Sequence, residues 1–180
     1  MVISVKEATV NDAEVISKLS TETFFETYSW YNTPENMLEY TQINFSVEQT
    51  KKDFTETNTH FFLACLSNEI IGYVKLRVFV PKEFLLEKPP EELAGKRHIE
   101  IERIYVQKKY QDKKAGFALI KKCIDFAKEK NFEIIWLGVW EQNLRALNFY
   151  SRVGFVKFGT HTFQLGNDAQ KDHLMKLNLA

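Results

Sequence analysis

The sequence has no excess of charge, almost no cysteine and no long apolar run. Its 24 basic and 24 acidic side chains cancel, which removes the general attraction that nucleic acid or an anionic membrane would need. A basic site must then be a local cluster. Cys65 and Cys123 lie far apart in apolar segments with no CxxC spacing, and they read as buried thiols that could pair only if their segments met in an oxidising compartment. No uncharged stretch approaches the ~18 residues of a spanning helix. Residues 1–14 carry Lys6, Glu7, Asp12 and Glu14 where a signal peptide would be apolar. A cytoplasmic protein without membrane or nucleic-acid partners is expected. Neither GxxxxGK[ST] nor GxGxxG occurs, which weakens nucleotide-hydrolase and dinucleotide readings. His98, His161 and His173 are single imidazoles without ligand spacing, so no metal is expected.

What the chain does have is core-forming material: 44% hydrophobic residues and 15 Phe within 180 residues. Without repeat or linker, this suits one domain spanning residues 1–180. Residues 2–5 are a short β-branched stretch. An amphipathic helix follows Asn11-Asp12, with Val15, Ile16, Leu19, Thr23 and Phe24 at helical steps. Pro34 opens a second helix and Ser46 caps a third running to about Thr57, a pair that reads as a lid. Residues 61–66 and 70–80 form an expected hairpin, and residues 81–97 a surface insertion with room for one short helix. The second half alternates: a strand over 98–106, a basic loop over 108–114, a helix to about Asn131 and an apolar strand over 133–140. Next come a short helix between Asn143 and Gly154 and final strands over 155–161 and 173–179. An α/β, or α+β, mixed sheet with helices on both faces accommodates the series.

The basic loop is the strongest physical feature. A helix start presents free N–H groups and a partial positive charge, and Lys108, Lys109, Lys113 and Lys114 surround this one with Asp112 alone opposing. Gly116 lacks a side chain where backbone could approach a pyrophosphate, and Gln111 could fix the turn. A solvated basic turn is the alternative reading. The second feature runs from Trp140 to Phe155: N-x-x-A-x-x-F-Y-x-x-x-G-F, beginning at Asn143.

An I-Y-V strand, a basic Q-x-x-x-x-G turn and this second motif about thirty residues on together resemble the GNAT superfamily of acetyl-CoA-dependent N-acetyltransferases. The start Ile3-Ser4-Val5-Lys6-Glu7-Ala8-Thr9 resembles the opening of the same fold. The resemblance implies a mostly antiparallel seven-stranded sheet and acetyl-CoA as cosubstrate, without metal. It puts the pantetheine arm along Ile104, Tyr105 and Val106. The pyrophosphate falls on the loop of Gln111, Asp112, Lys113, Lys114, Ala115 and Gly116, and a further contact on Asn143. Tyr150 becomes the acid that protonates the departing thiolate, a role suited to a phenol with an ordinary pKa of ~10. Phe149-Tyr150 could also simply pack under the sheet. Lys114 departs from the family pattern, standing where the loop's first glycine is expected. A side chain disfavours positive φ, so a local reshaping of the loop is expected, while the ammonium could pair with a CoA phosphate.

The acceptor amine must lose a proton, and Glu100 and Glu102 share a face of the I-Y-V strand. Glu102 is the base chosen here, against a structural salt bridge to Arg97 or Arg103. The tail from Gly159 to Met175, the Phe-Phe-Glu-Thr-Tyr run over residues 24–28 and the strand Gly72-Tyr73-Val74-Lys75-Leu76 are similar to PaiA-type spermine/spermidine N-acetyltransferases. A polyamine acceptor calls for carboxylates, and Glu22 and Glu26 lie one helical turn apart, either as substrate ligands or as a solvated face. Other readings are a protein amine, an amino acid or an aminoglycoside as acceptor, or a non-catalytic acyl-CoA-binding regulator. The partner is expected to be a small-molecule amine, with a homodimer compatible.

Overall fold

A computed structural model describes residues 2–79, 91–165 and 168–179. Seven strands form one sheet in the order β1-β2-β3-β4-β5-β7-β6. The strands are β1 (Ile3–Glu7), β2 (Thr59–Leu66), β3 (Glu69–Phe79), β4 (His98–Val106), β5 (Ile134–Trp140), β6 (Val156–Leu165) and β7 (Asp168–Asn178). All neighbours are antiparallel except β4 and β5, which are joined by the crossover helix α4 (Ala115–Glu129). This parallel pair is short: it spans only His98–Glu100 against Ile134–Trp136, and beyond it the two strands part. From Ile101 to Val106, β4 pairs with β3 on one side and has no ladder partner among the described residues on the other.

Side-chain alternation directs two cores to opposite faces. Phe62, Ala64, Val74 and Leu76 pack with Leu119, Ile120, Cys123 and Tyr150 under α4 and α5 (Leu144–Val153). Phe61, Leu63, Cys65 and Tyr73 pack with Ile16 and Leu19 of α1 (Ala13–Tyr28) on the other face. The two thiols are buried in these opposite layers and are free. α2 (Pro34–Asn44) and α3 (Val47–Thr55) sit on the α1 side, started by Thr33 and Ser46, whose hydroxyls accept from the backbone N–H groups of Asn36 and Gln49. The segment expected to be a lid is pinned as a roof. Asp53 of α3 pairs with the buried Lys75 at 2.7 Å, and the Ser17 hydroxyl donates to the Phe45 carbonyl. A 3₁₀ turn at Glu91–Leu93 supplies the short helix expected in the insertion, whose residues 81–90 lie outside the described residues.

Two sequence expectations need correction. The last two strands are longer than read: β6 and β7 pair from Val156↔Lys176 to Leu165↔Asp168. In addition β4 carries a bulge, because Lys75 pairs with Arg103 and Leu76 with Ile101, leaving Glu102 as the extra residue. A bulge sets two consecutive side chains on one side, so Arg103 joins Glu100 and Glu102 on the α1 face, where plain alternation would turn it away.

Candidate active site

The parting of β4 and β5 opens two cavities that share one boundary. The first, about 920 Å³, lies on the side of α4 and α5 and is lined by Ile104, Tyr105, Val106, Gln111, Asp112, Gly116, Asn143 and Tyr150. A 3₁₀ turn over Lys108–Lys113 leads to Lys114, the N-cap of α4, with φ 63° and ψ 14°. The loop is therefore not reshaped by the lysine. Lys114 itself adopts the left-handed conformation that glycine would take without strain, at a cost of ~1–2 kcal/mol. The Gln111 amide donates to the Val106 carbonyl at 3.2 Å, which ties the turn to the end of β4. Gly116 faces the cavity, and a Cβ there would meet the Phe149 ring at an ordinary 3.7 Å. Asn143 caps α5 through its side-chain oxygen, which accepts from the Ala146 amide at 3.1 Å. Lys113 is exposed and Ala115 is fully buried, and neither is among the lining residues.

Lys108, Lys114, Arg145 and Arg152 give this cavity a cationic mouth. The two arginines escaped the sequence reading, although their seven-residue spacing sets them two turns apart on one face of α5. Arg145 also pairs with Asp112 at 3.3 Å, so that carboxylate is partly offset. Tyr150 sits deeper, 8% exposed, with a hydroxyl that makes no hydrogen bond among the described residues. Burial pushes its pKa above the usual phenol value, so the hydroxyl stays protonated at neutral pH.

The second cavity, about 390 Å³, lies on the opposite side of the sheet under α1, α2 and α3. Aromatic rings of Phe24, Tyr28, Tyr40, Phe45, Trp140 and Phe163 line it. Its charged floor is a network around Glu102, which lies 3.0 Å from Lys75, 2.6 Å from Arg77 and 3.3 Å from Arg103. Arg103 also donates to the Asn44 carbonyl and stacks on Phe45 at 4.7 Å. Two further lining carboxylates, Glu100 and Asp172, make no ion pair among the described residues. Burial, then the Glu102 charge, pushes Glu100 up to about 7 against the pull of Arg77, Lys75 and Arg103. Burial likewise raises Asp172, with His161 opposing the shift.

Tyr28, Glu102, Arg103, Tyr105 and Gly138 line both cavities and mark their junction. Glu26 lines the first cavity, and Glu22 lines neither cavity. Glu22 accepts from the Gln107 amide at 3.3 Å, and Glu26 accepts from the Lys108 backbone N–H at 2.9 Å. They pin α1 to the end of β4, and neither lines the second cavity.

A cationic pocket over a helix start, an open strand edge and a second, carboxylate-bearing pocket that shares a boundary with it can bring an extended anionic cosubstrate against a second, cationic one. Residues 16–155 match the acetyltransferase (GNAT) family model, and the chain belongs to that family. It is an N-acetyltransferase that uses acetyl-CoA. It is 31% identical over 178 residues to an uncharacterized N-acetyltransferase from the pepI 3′ region of Lactobacillus delbrueckii subsp. lactis, covering 97% of this chain and 96% of that one. It is 22% identical over 159 residues to a spermidine N(1)-acetyltransferase of Thermoplasma acidophilum, covering 86% and 89%. Among solved structures, the PaiA N-acetyltransferase of Thermoplasma acidophilum in complex with coenzyme A superposes with a TM-score of 0.79 over 99% of both chains at 20% identity.

The first cavity fits CoA on its own terms. The open edge of β4 offers main-chain donors and acceptors to an extended arm. The first turn of α4 and the four cations suit a pyrophosphate and further phosphates. Among the described residues no group of three or more His, Cys, Asp or Glu is arranged to hold a metal. None of the described helices is long and apolar enough to cross a membrane.

Proposed function

We propose that the chain is a single-domain cytoplasmic enzyme that acetylates a primary amine of a polyamine such as spermidine. The observation that carries this reading is the second cavity: it meets the CoA cavity at Gly138 and contains two carboxylates, Glu100 and Asp172, that make no ion pair among the described residues and sit among rings that favour ammonium groups. The spermidine acetyltransferase among the relatives supports the same acceptor.

Acetyl-CoA, once bound, supplies an acetyl group activated as a thioester. This chain must then neutralise the attacking amine and protonate the sulfur as the carbon–sulfur bond gives way to the carbon–nitrogen bond. For the first task we favour Glu100 over Glu102. Ion pairs with Lys75, Arg77 and Arg103 occupy Glu102, whereas Glu100 makes none among the described residues and has a pKa raised to about 7, the range in which a general base works. Glu102 then positions Arg103 and Lys75. For the second task Tyr150 lines the donor chamber with a protonated hydroxyl that makes no hydrogen bond among the described residues.

A second reading, acetylation of a protein amine, draws on Tyr31, which is 58% exposed and packs edge-on against Trp140 of the acceptor cavity at 4.8 Å. An acetyl-CoA-dependent thiol-release screen across polyamines, amino acids, aminoglycosides and lysine peptides separates the two. Polyamine turnover with the highest kcat/KM is expected, and preference for a peptide would replace the polyamine reading.

A further inference from the structure

Gly138 is the exposed residue in the middle of an otherwise covered strand. A Cβ on it would lie 3.2 Å from the His161 imidazole and 3.4 Å from an Asp172 carboxylate oxygen. A methyl there would crowd the imidazole and cover the carboxylate, so glycine keeps both groups open to the junction of the cavities. Asp172 stands directly across from Trp140 on β5 and from His161 on β6, so carboxylate, indole and imidazole share one face. This half-buried carboxylate has no hydrogen bond or ion pair among the described residues, His161 is the imidazole beside it, and it sits on the far side of β5 from the cations of β3 and β4. An arrangement of this kind costs stability unless a ligand completes it.

The positions fall in a line. Glu100 is level with Trp136 and Asp172 with Trp140. These levels are about 13 Å apart along β5, with Gly138 midway. An acceptor reacting at the junction has Glu100 toward one end and Asp172 toward the other. We propose that Asp172, flanked by Trp140 and His161, is a specificity residue that anchors the ammonium group next along the acceptor from the amine being acetylated. This rests on the polyamine reading and refines it: the site selects amines that carry a second positive charge a few methylenes away.

The test compares spermidine with butylamine, which has no second ammonium, in steady-state kinetics of the full chain and its Asp172→Asn variant. Loss of a charge-assisted contact should raise KM for spermidine about ten- to a hundredfold more than KM for butylamine, with CoA affinity by calorimetry unchanged. Gly138→Ala should shift KM in the same selective way by crowding the His161 imidazole and covering the Asp172 carboxylate. Because the wild-type carboxylate has no hydrogen bond or ion pair among the described residues, the thermal midpoint of Asp172→Asn should hold or rise. Equal KM shifts for both amines, no shift, or a marked fall in the midpoint would overturn the anchor while leaving a polyamine acetyltransferase intact. A wild-type enzyme that turns over no polyamine would overturn the polyamine reading and the anchor with it.

Discussion

The two chambers of the site are built from different material. The donor chamber is made largely of main chain: an unpaired strand edge, a 3₁₀ turn, a left-handed cap and a helix start, with side chains supplying charge around the mouth. The acceptor chamber is made of side chains contributed by α1, α2, α3 and five strands, with an ion-pair network as its floor. Main-chain groups are the same in every sequence, so a donor chamber built from them suits a cosubstrate shared across a family. Side chains change with each substitution, and an acceptor chamber built from them can be retuned while the donor side stands.

The largest expected effects strike one proton step in each chamber. Tyr150→Phe should lower kcat by about 10²–10⁴-fold with CoA affinity nearly unchanged, because the ring still packs and only the hydroxyl is lost. Glu100→Gln should cause a fall of similar order and remove the acidic limb, near pH 7, of the kcat/KM profile. A stability readout separates it from a merely structural residue. A carboxyl whose folded pKa is raised binds its proton more tightly in the native state, so its charging lowers stability as pH rises from the ordinary range through about 7. Glu100→Gln should then raise the thermal midpoint more at pH 8 than at pH 5. Retention of wild-type kcat with chemistry limiting would remove either residue from its role.

Next in size is Lys75→Met, which leaves Asp53 buried without its cation and takes one of three from Glu102. Breaking a buried pair costs about 3–5 kcal/mol, measurable by urea unfolding, and α3 should loosen while CoA affinity is kept. Loss of CoA binding in a folded protein would show the chambers to be less separate than drawn. The smallest effect is expected from Lys114→Gly. Relief of the left-handed strain should stabilise the fold by about 1 kcal/mol. CoA affinity should fall by about tenfold or less if the ammonium touches a phosphate, and calorimetry reads both signs.

The same division explains what the sequence disclosed. Asn143, Gly154 and the Gln111–Gly116 turn act through their own or adjacent backbone, so local spacing located them. The strand over 98–106 and the apolar β5 were legible for the same reason. Residues 162–172 were not, because Thr162, Gln164, Gln170 and Asp172 break any apolar run, and the hairpin holds through cross-strand pairing that spacing does not encode. The bulge at Glu102 is likewise a property of two strands together, and it turned a carboxylate chosen as base into the centre of three ion pairs. Glu22 and Glu26 were correctly set one turn apart, but helical spacing gives no azimuth relative to a sheet, and they face Gln107 and Lys108 instead of the acceptor. Asp172, His161 and Gly138 come from three strands, and no one-dimensional pattern unites them.

Three residue pairs join β1–β4 to β5–β7. Mechanically the sheet is two plates welded at one corner, and the wedge between them stays open because α4 braces both β4 and β5 from one side. The brace is itself the crossover between those strands, so one stretch of chain both separates the plates and holds them to each other. Heat or force that parts the molecule should open it along this seam first. Any molecule lodged in the wedge and touching both plates would act as a rivet, raising the resistance of the whole sheet without adding a contact to either plate's interior.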